Sequence, residues 1–416
     1  MPRLIFVNRY FFPDHSATSQ MLTDLAFALA HDSGLDIHVV TSRQAYDSPT
    51  ANFRALESVG GVTVHRVWTS HFGRNQLLGR AFDYFSFYLS AFVCLLRLAE
   101  QNSIMVAKTD PPMISVVAAV VAKLKSAVLV NWVQDLFPEV AASLGVKVVR
   151  GPLFSILKRA RNASLRLARC NVVIGELMAE RLIKEGVPVS QVEVIHNWAD
   201  GTTIRPIEPE ANPLRTEWGL DGKFVVGYSG NLGRSHEFAT ILDAATQLQA
   251  HPDILFLFIG GGANLQWVEQ QVASRGLTNV MFKPYQARER LAESLSAADV
   301  HLITLKPELE GLIVPSKFYG IAAAGRPVAF IGDDDGEIGR LVRQAQCGFS
   351  VSQGNGEALR NQLLALYRDA NLRRDMGNSA RTAFDRMFSL KTSLDLWEAL
   401  IRRLSEKGLS PIPGKA

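Results

Sequence analysis

The stretch GLIVPSKFYGIAAAGRPV, residues 311–328, is the part of the sequence from which the fold is most readily interpreted. It predicts a loop, a helix that begins near Ser316, and a Gly-Arg-Pro turn that leads into a buried strand, Val328–Ile331. Pro315 fits just outside a helix start and Ser316 is a suitable N-cap. Lys317 falls in the first helical turn, where the helix dipole disfavours a cation unless an anion lies nearby. The stretch therefore predicts a diphosphate site; the alternative is that Ser316 only caps and Lys317 is solvated.

Length and composition describe an ordinary globular protein. The chain has 416 residues, 47% of them hydrophobic and 20% charged, which predicts two or three domains with full cores. Its three cysteines, Cys94, Cys170 and Cys347, are scattered and odd in number. This pattern argues against a disulfide framework, shows no zinc or redox spacing, and indicates a reducing compartment.

Two apolar stretches bear on targeting. The N-terminal apolar run, Leu4–Val7, is too short for a signal-peptide core and predicts a first strand instead. The stretch most similar to a membrane-spanning helix is Ala81–Leu98, which carries Asp83 and Arg97. We therefore expect a cytoplasmic protein in which this helix either docks shallowly on a membrane or packs in the core.

The net charge of +4 is unevenly distributed. Residues 1–200 hold 20 Lys and Arg against 16 Asp and Glu, whereas the rest of the chain is balanced at 24 against 24. The stretch Lys147–Arg169 contains no acidic residue, and its seven basic ones are Lys147, Arg150, Lys158, Arg159, Arg161, Arg166 and Arg169. With interleaved leucines and isoleucine, this pattern predicts a basic amphipathic helix that binds an anionic membrane surface. The alternative is a solvated helix face.

Short apolar runs alternate with helix-period segments in both halves of the chain, which predicts parallel, doubly wound sheets. In the first half, we predict strands at Leu4–Asn8, Ile37–Thr41, Val62–Val67, Ile104–Lys108, Val128–Val133, Asn171–Gly175 and Val192–His196. In the second half, we predict them at Phe224–Tyr228, Leu255–Ile259, Val280–Phe282, Val300–Thr304 and Val328–Ile331.

The domain organisation follows from a polar, proline-bearing stretch after residue 200. We predict a first Rossmann-like domain at 1–200, a linker at 201–222, a second Rossmann-like domain at 223–388, and a last helix in 389–416 that crosses back to the first domain. Two such domains imply a central cleft.

Glycines follow two strands of the second half. The sequence GYSGNLGR, residues 227–234, joins a strand to a helix, and Gly260-Gly261-Gly262 follows the next strand. Glycines allow close approach of backbone to phosphate, and Arg234 adds charge. Because carboxyl ends of parallel strands gather on one edge, we expect both turns and Lys317 to face the same crevice.

At this point the sequence resembles a known family. The order GYSGNLGR, FIGGG, FKPYQARERL, SAADVHLITLK and ELEGLIVPSKFYGIAAAGRPV is similar to the nucleotide-sugar half of the retaining family 4 glycosyltransferases, which have the two-domain GT-B fold. YFFPDHSATSQMLTDLAFAL, VQDLFPE and VIHNWAD fit the same family, so the resemblance covers almost the whole chain. More narrowly, it is similar to the bacterial branch that builds exopolysaccharide or O-antigen repeat units, of the colanic-acid type.

The resemblance implies a set of donor-binding residues. Arg234 and Lys317 match the cations that hold the donor diphosphate and stabilise the leaving group, which gives them a catalytic role. Glu310 matches the carboxylate that faces the donor sugar, and Tyr285 and Gln286 lie where relatives bind the base. The whole predicted donor set is Gly230, Asn231, Arg234, Gly261, Tyr285, Gln286, Glu310, Pro315, Ser316 and Lys317.

The sequence departs from the family pattern at two places. The second glutamate of the family motif falls on Phe318, or on Gly320 when counted back from Gly325, so contact with ribose through that carboxylate is absent or replaced. Many relatives have a histidine where Gln134 precedes Asp135. Asp135 is our candidate for the catalytic polar group that faces the reacting sugar. Glu139 lies nearby in the sequence, and its alternative role is to cap a helix begun at Pro138.

The turn after the first strand supplies a candidate acceptor or phosphate loop. It reads Asp14-His15-Ser16-Ala17-Thr18-Ser19 in place of the glycine-rich turn of many relatives. Ser16, Thr18 and the following helix start are predicted to bind phosphate or acceptor, and His15 is a candidate base or a solvated loop residue. His236 lies at or near the second cationic donor position of the family.

The resemblance implies a retaining glycosyltransferase that moves a hexose-type sugar from a nucleoside-diphosphate sugar, with uridine diphosphate as the expected nucleotide, to a lipid-linked saccharide. We expect the protein to contact the inner face of the cytoplasmic membrane peripherally, to need no metal or other cofactor, and to bind no nucleic acid. Two alternatives stay open: a nucleotide-sugar epimerase of the same architecture, and a catalytically silent nucleotide-sugar-binding partner of another transferase.

Overall fold

A computed structural model describes residues 3–32, 34–46, 48, 51–72, 77–146 and 151–407. The chain divides into two compact units. The first unit contains residues 1–196 together with the stretch from Ser393 on, and the second contains Asn197–Thr392.

The first unit is built on a sheet whose described strands follow the order β3-β4-β2-β1-β5-β6-β7-β8. The strands are β1 (Leu4–Val7), β2 (Ile37–Ser42), β3 (Leu56–Val59), β4 (Val62–Val67), β5 (Ile104–Lys108), β6 (Val128–Val133), β7 (Cys170–Val173) and β8 (Val192–Val194). All pairings are parallel except that of β3 with β4. The sequence did not predict β3, because its residues alternate between exposed and half-buried positions and it lacks an apolar run.

Helices cover both faces of this sheet. They are α1 (Ala17–Asp32), α2 (Leu77–Leu98), α3 (Ile114–Lys125), α4 (Glu139–Ser143), α5 (Pro152–Leu167), α6 (Glu176–Lys184) and the last helix of the chain, α15 (Leu390–Lys407). Phe87, Ala91 and Leu95 of α2 pack with Ile114 and Ala118 of α3 against strand residues in one buried cluster. In the part of α15 that groups with the first unit, Trp397 packs on Trp132 with ring centroids 5.0 Å apart.

The second unit has an all-parallel sheet in the order β11-β10-β9-β12-β13-β14. Its strands are β9 (Phe224–Ser229), β10 (Ile254–Ile259), β11 (Val280–Lys283), β12 (Val300–Thr304), β13 (Val328–Ile331) and β14 (Gly348–Val351). Its helices are α7 (Pro213–Glu217), α8 (Ala239–Gln247), α9 (Leu265–Ser274), α10 (Leu291–Ser296), α11 (Lys317–Ala323), α12 (Glu337–Ala345), α13 (Gly356–Arg368) and α14 (Ala370–Ala383). Taken within the unit, this strand order is that of a dinucleotide-binding Rossmann fold, with the order reversing between β9 and β12. The predicted class of two doubly wound parallel sheets is confirmed.

The predicted linker, residues 201–222, is part of the second unit. Leu214, Trp218 and Leu220 are buried against Val225 and Leu257 of the sheet. The stretch was predicted as a linker from its polar and proline-rich composition, although it contains these three apolar residues. It forms a wall of the second core and is not a spacer.

The predicted basic stretch is only partly available at the surface. Lys147 and Arg150 lie outside the described residues. On α5, Arg161 is buried and its guanidinium lies 2.7 Å from the carboxylate of Glu139, while Lys158 lies 2.6 Å from that of Glu185. Two of the seven predicted cations are therefore neutralised internally, and Arg159 and Arg166 face solvent.

Candidate functional site

In the second unit, the loops after β9 and β10 interlock through their backbones. The N–H of Gly230 donates to the carbonyl of Ile259 at 2.8 Å, and the N–H of Leu232 donates to the carbonyl of Gly261 at 2.8 Å. Asn264 then closes the second loop, because its side-chain amide donates to the carbonyl of Gly233 at 2.8 Å. The two glycine-rich turns therefore form one rigid rim at the carboxyl edge of the sheet.

Glycine is required at two positions of this rim. Gly260 has φ +134° and Gly262 has φ +143°, a region that side chains disfavour. A Cβ on Gly260 would collide with the carbonyl oxygen of Gly230, and one on Gly262 would lie 2.8 Å from the backbone N of Leu232. The glycines thus let two backbone segments approach each other directly.

Lys317 lies against this rim. Its ammonium donates to the carbonyl of Asn231 at 3.2 Å and lies 4.9 Å from the centre of the Tyr228 ring. The side chain is half-buried, and loss of solvent lowers the pKa of Lys317 to about 8. Among the described residues no carboxylate forms an ion pair with it. The structure therefore brings Lys317 and Gly230 together, as the sequence predicts, around a cation whose charge is not balanced by an acidic side chain.

The predicted capping role of Ser316 is wrong. Ser316 precedes α11, but its side chain makes no capping hydrogen bond and is exposed. Its backbone is helical (φ −67°, ψ −13°), whereas a capping hydroxyl needs an extended residue to reach the N–H groups of the first turn. Pro315 is buried just before it.

The remaining donor candidates lie around the rim. Tyr285 is 59% exposed, and its hydroxyl donates to the carbonyl of Gly261 at 3.2 Å. Gln286 is half-buried and donates to the carbonyl of Pro284 at 2.9 Å. Asn231 and Arg234 have exposed side chains on the first loop. An exposed aromatic ring therefore lies at one end of the rim and an exposed guanidinium on its first loop.

The side chain of Glu310 contacts the first residue of α12, Glu337. Its Oε2 accepts the backbone N–H of Glu337 at 3.1 Å. Burial raises the pKa of Glu310 to about 7, and the carboxylates of Asp333 and Glu337 add to the effect while that N–H opposes it. Near neutral pH both the protonated and the ionised form of Glu310 are populated. The protonated form can donate a hydrogen bond, and the carboxylate can only accept.

His236 is not a second cation. Its Nδ1 lies 2.6 Å from the carbonyl oxygen of Thr304, which fixes the proton on that nitrogen. Burial, together with the charge of Lys317, lowers the pKa of His236 to about 3. The imidazole is therefore neutral at physiological pH.

The position of the missing family glutamate belongs to the core. Phe318 is fully buried and packs edge-on against Phe388, with ring centroids 5.5 Å apart. Gly320, the other position given by the spacing, lies against Leu295. Neither residue offers a polar group to a ligand.

In the first unit, the ends of β5 and β6 carry a cluster of charges. Lys108 is 1% exposed, and its ammonium lies 3.6 Å from the centre of the Trp132 ring. Burial lowers the pKa of Lys108 well below its usual value, and the negative charges of Asp110, Asp24 and Asp135 oppose this. The carboxyl edge of this sheet therefore holds a buried amine among three acids.

Asp135 reaches the surface after β6, within a crowded part of the chain. The limited solvation there, together with the charge of Asp110, raises the pKa of Asp135 to about 6, and Lys108 partly offsets the increase. Sequence reasoning missed Asp110 and Lys108. Both are charged residues at the end of a predicted strand, a signal that could have selected them, whereas Asp135 was selected by its place in the family motif.

The loop after β1, which was predicted to bind phosphate or acceptor, carries carboxylates beside its hydroxyl groups. The carboxylate of Asp14 accepts both the backbone N–H and the hydroxyl of Ser16, so a negative charge already lies at the start of α1. The hydroxyl of Thr18 donates to Asp110 at 3.3 Å, and His15 is exposed. Two carboxylates repel phosphate, so this geometry favours hydroxyl groups as ligands of the loop.

Glu139 opens α4, as predicted for a helix begun at Pro138. Its buried carboxylate pairs with Arg161 at 2.7 Å and therefore has a structural partner. Among the described residues, no group of three or more His, Cys, Asp or Glu side chains is arranged to hold a metal ion. The expectation of metal-independent chemistry stays a prediction.

Two family models match the chain, one on each half. Residues 212–383 match the model described as "Glycosyl transferases group 1", and residues 17–198 match the "Glycosyl transferase 4-like domain". Their boundary falls close to the division between the two units.

Individual relatives point the same way. The chain is 30% identical to the probable glycosyltransferase WbjE of Pseudomonas aeruginosa, over 80% of this chain and 82% of that protein. It is 28% identical to the putative colanic acid biosynthesis glycosyl transferase WcaI of Escherichia coli, over 53% of this chain and 55% of that one. Among solved structures, Anabaena HepE in complex with UDP-glucose superposes with a TM-score of 0.73 at 17% identity, covering 97% of this chain and all of that one, which is a likeness of fold.

Proposed function

Since the chain belongs to the family 4 glycosyltransferases of GT-B fold that act in cell-surface polysaccharide biosynthesis, we propose that it moves a hexose-type sugar from UDP to a lipid-linked saccharide with retention of configuration. Anabaena HepE, which has the same fold, was solved with UDP-glucose. That ligand supports the choice of UDP for this chain.

The observation that carries the proposal is the unbalanced ammonium of Lys317 beside the glycine rim. A half-buried cation without a carboxylate partner is stabilised by an anionic ligand. A diphosphate fits this need, because the carboxyl edge at the reversal of strand order is where doubly wound sheets bind phosphate-bearing ligands. Arg234 is exposed on the loop after β9 and supplies a second positive charge.

The chemistry uses the same charges. When the glycosyl–phosphate bond breaks, negative charge builds on the departing diphosphate oxygen, and fixed cations stabilise it. We propose Lys317 and Arg234 for this role. We propose that Glu310, whose pKa is about 7, hydrogen-bonds hydroxyl groups of the donor sugar.

The acceptor side of the proposal uses the first unit. Asp135 is proposed as the polar group that contacts the reacting sugar, and the loop that contains Ser16 and Thr18 as a binder of acceptor hydroxyls. A leaving phosphate oxygen takes the acceptor proton in the proposed retaining reaction, so a dedicated base is not required. The lipid-linked acceptor rests on the similarity to polysaccharide-building relatives.

The test is a transfer assay on the full chain. Membranes that carry lipid-diphosphate saccharides are incubated with the protein and a panel of radiolabelled nucleotide sugars, and label in the lipid fraction is counted. We expect transfer from one UDP-sugar, and NMR of the product is expected to show the anomeric configuration of the donor.

Other results would assign a different function. Interconversion of the nucleotide sugar without acceptor would indicate an epimerase. Calorimetric binding of UDP without turnover on any acceptor would indicate a silent binding partner. Transfer with inverted configuration would reject the retaining mechanism.

A further inference from the structure

Helix α2 of the first unit has a long apolar face that the protein leaves uncovered. Leu78, Phe82, Phe85, Leu89 and Val93 follow one another at helical spacing and are between 40% and 75% exposed. Soluble proteins rarely expose a contiguous stripe of this kind, and such stripes usually mark interaction surfaces.

The opposite face of α2 is committed to the core. Phe87, Ala91 and Leu95 are fully buried against the sheet and α3. By length and composition, Leu78–Leu98 could cross a membrane. Crossing would remove these three side chains from the core, so the packing favours a helix that lies flat, with its outer stripe facing its partner.

The neighbouring helices continue the surface. Helix α3 contacts both α2 and α5, and the hydroxyl of Ser164 on α5 donates to the carbonyl of Ser115 on α3 at 2.9 Å. On the outer side, α3 exposes Val120 and Leu124 and α5 exposes Ile156. The three helices therefore form one outer layer with apolar groups along each member.

Charge identifies the partner. Across α2, α3 and α5 the sequence contains a single carboxylate, Asp83, and this residue is buried, where it accepts the hydroxyl of Ser70 at 2.7 Å. The exposed basic residues of the layer include Arg97, Lys123, Arg159 and Arg166, and Lys125 is half-buried. Apolar and cationic groups without any exposed carboxylate match a surface of acyl chains beneath anionic headgroups.

We propose that the outer layer of helices α2, α3 and α5 docks on a bilayer that contains anionic phospholipid, with the stripe of Phe82 and Phe85 inserted among the acyl chains. This inference deepens the proposed function, because a lipid-linked acceptor would lie in the same bilayer. It moves the main contact from the predicted basic stretch to α2, since Lys158 and Arg161 are engaged in internal ion pairs.

Co-sedimentation of the purified full chain with vesicles tests the proposal. We expect binding to vesicles of mixed phosphatidylcholine and phosphatidylglycerol, and weaker binding to phosphatidylcholine alone. Replacing both rings (Phe82→Ser with Phe85→Ser) should weaken binding about tenfold or more for each ring withdrawn from the acyl region. Lys123→Gln with Lys125→Gln should weaken binding about fivefold for each lysine on anionic vesicles only.

The matched control is Trp267→Ser, which removes an exposed aromatic ring from α9 of the second unit and should leave vesicle binding unchanged. The substituted positions are exposed except Lys125, which is half-buried, and thermal unfolding at the wild-type temperature verifies that each variant is folded. Equal binding of the ring variant and wild type, or no wild-type binding to anionic vesicles, would overturn the proposal. A change from dimer to monomer in the ring variant would also overturn it, because a second copy would then be the partner.

The experiment separates this proposal from the transferase proposal. Vesicle binding is measured without donor or acceptor, so it does not depend on catalysis. Calorimetric UDP binding by the ring variant, expected to equal that of wild type, reports on the second unit alone. If the wild-type protein bound neither UDP nor vesicles, both proposals would be rejected. If it bound UDP but not vesicles, only the docking surface would be rejected.

Discussion

Each of the two sheets carries a lysine at its carboxyl edge, and the two lysines have opposite surroundings. Lys108 in the first unit is buried among Asp110, Asp24 and Asp135 and lies on the ring of Trp132. Lys317 in the second unit contacts a backbone carbonyl and a tyrosine ring, with no ion-pair partner in the part of the chain that the structure describes. Lys108 is enclosed by the first unit, where burial disfavours its charged form and the three acids favour it, whereas Lys317 is half-buried and available to a ligand.

The difference separates an edge that suits anions from one that suits hydroxyl groups. Glycines and a cation define the second edge, and carboxylates tied to Ser16 and Thr18 define the first. A transferase needs both kinds of surface, one for the diphosphate and one for a sugar alcohol. Variants of each edge can therefore test whether the second edge binds the diphosphate and the first binds the sugar alcohol.

The largest effect is expected from Lys317→Ala. Removing a cation that faces developing charge should slow transfer by roughly 10²–10³-fold and weaken UDP binding. Steady-state kinetics and calorimetry with UDP measure the two effects. The control is Lys223→Ala, which removes a half-buried lysine paired with Asp253 and should change neither. Wild-type kinetics in Lys317→Ala would remove the contrast between the two lysines.

Gly260→Ala tests whether the second edge depends on close backbone approach. The new Cβ collides with the carbonyl oxygen of Gly230 at a φ of +134°, so we expect a loss of about 1–3 kcal/mol in unfolding free energy. Because the displaced loop carries the groups around Lys317, transfer should fall by about tenfold to a hundredfold.

Gly276→Ala is the matched control for that change. Gly276 also has a positive φ, +61°, but a Cβ there meets nothing within 4 Å. Backbone strain alone should cost about 1 kcal/mol, with transfer unchanged. Equal stability and equal activity of the two alanine variants would show that the collision at Gly260 is relieved without effect.

Most of the fold could be predicted because buried parallel strands are short continuous apolar runs. The predicted strands agree with those observed to within one or two residues, for example Val328–Ile331. The pairing of β3 with β4 and the short strand β14 were missed, since LESV and GFSV contain few apolar residues. The role of residues 201–222 was also missed, because burial of Trp218 depends on partners far away in the sequence.

The candidate site was predictable only in part. Glycines and a lysine at strand ends marked the second edge, because parallel strands must end together. The sequence could not show that Asp14 binds Ser16 or that Asp110 meets Thr18, since these contacts depend on side-chain directions around the loops. It also could not show that Arg161 is buried in an ion pair, because a helix-period pattern does not give the identity of the neighbouring element.

Asp135, at the carboxyl edge of the first sheet, leads us to expect that transfer is suppressed at acidic pH. The pKa of Asp135 is about 6, above the ordinary aspartate value of roughly 4, so in the folded chain its carboxyl group is half ionised near pH 6. The chain therefore loses the associated stability as pH rises from about 4 through 6, while carboxylate-dependent transfer increases. We expect kcat/KM to fall about tenfold for each pH unit below 6.

Two variants locate that limb of the pH profile. Asp110→Asn removes a negative charge that raises the pKa of Asp135, so the midpoint should move to lower pH. Asp135→Asn should abolish the limb. If the limb survives in Asp135→Asn and disappears in Glu310→Gln, the group responsible lies in the second unit, and the assignment of Asp135 to the reacting sugar is wrong.

The smallest effect is expected from Tyr285→Phe. The hydroxyl is exposed and donates one hydrogen bond to Gly261 at 3.2 Å, so its removal should cost about 1 kcal/mol or less in UDP affinity, measured by calorimetry. Tyr285→Ala also removes the ring, which lies beside the backbone of Gly260 and Gly261. A base stacked on that ring should lose about 1–3 kcal/mol, a loss shared by uridine and UDP, whereas a ring that only packs on the rim should weaken the diphosphate contact and spare uridine. Comparing the two ligands in the alanine variant therefore decides whether the exposed aromatic end of the second edge binds the nucleobase or only supports the glycines beside Lys317.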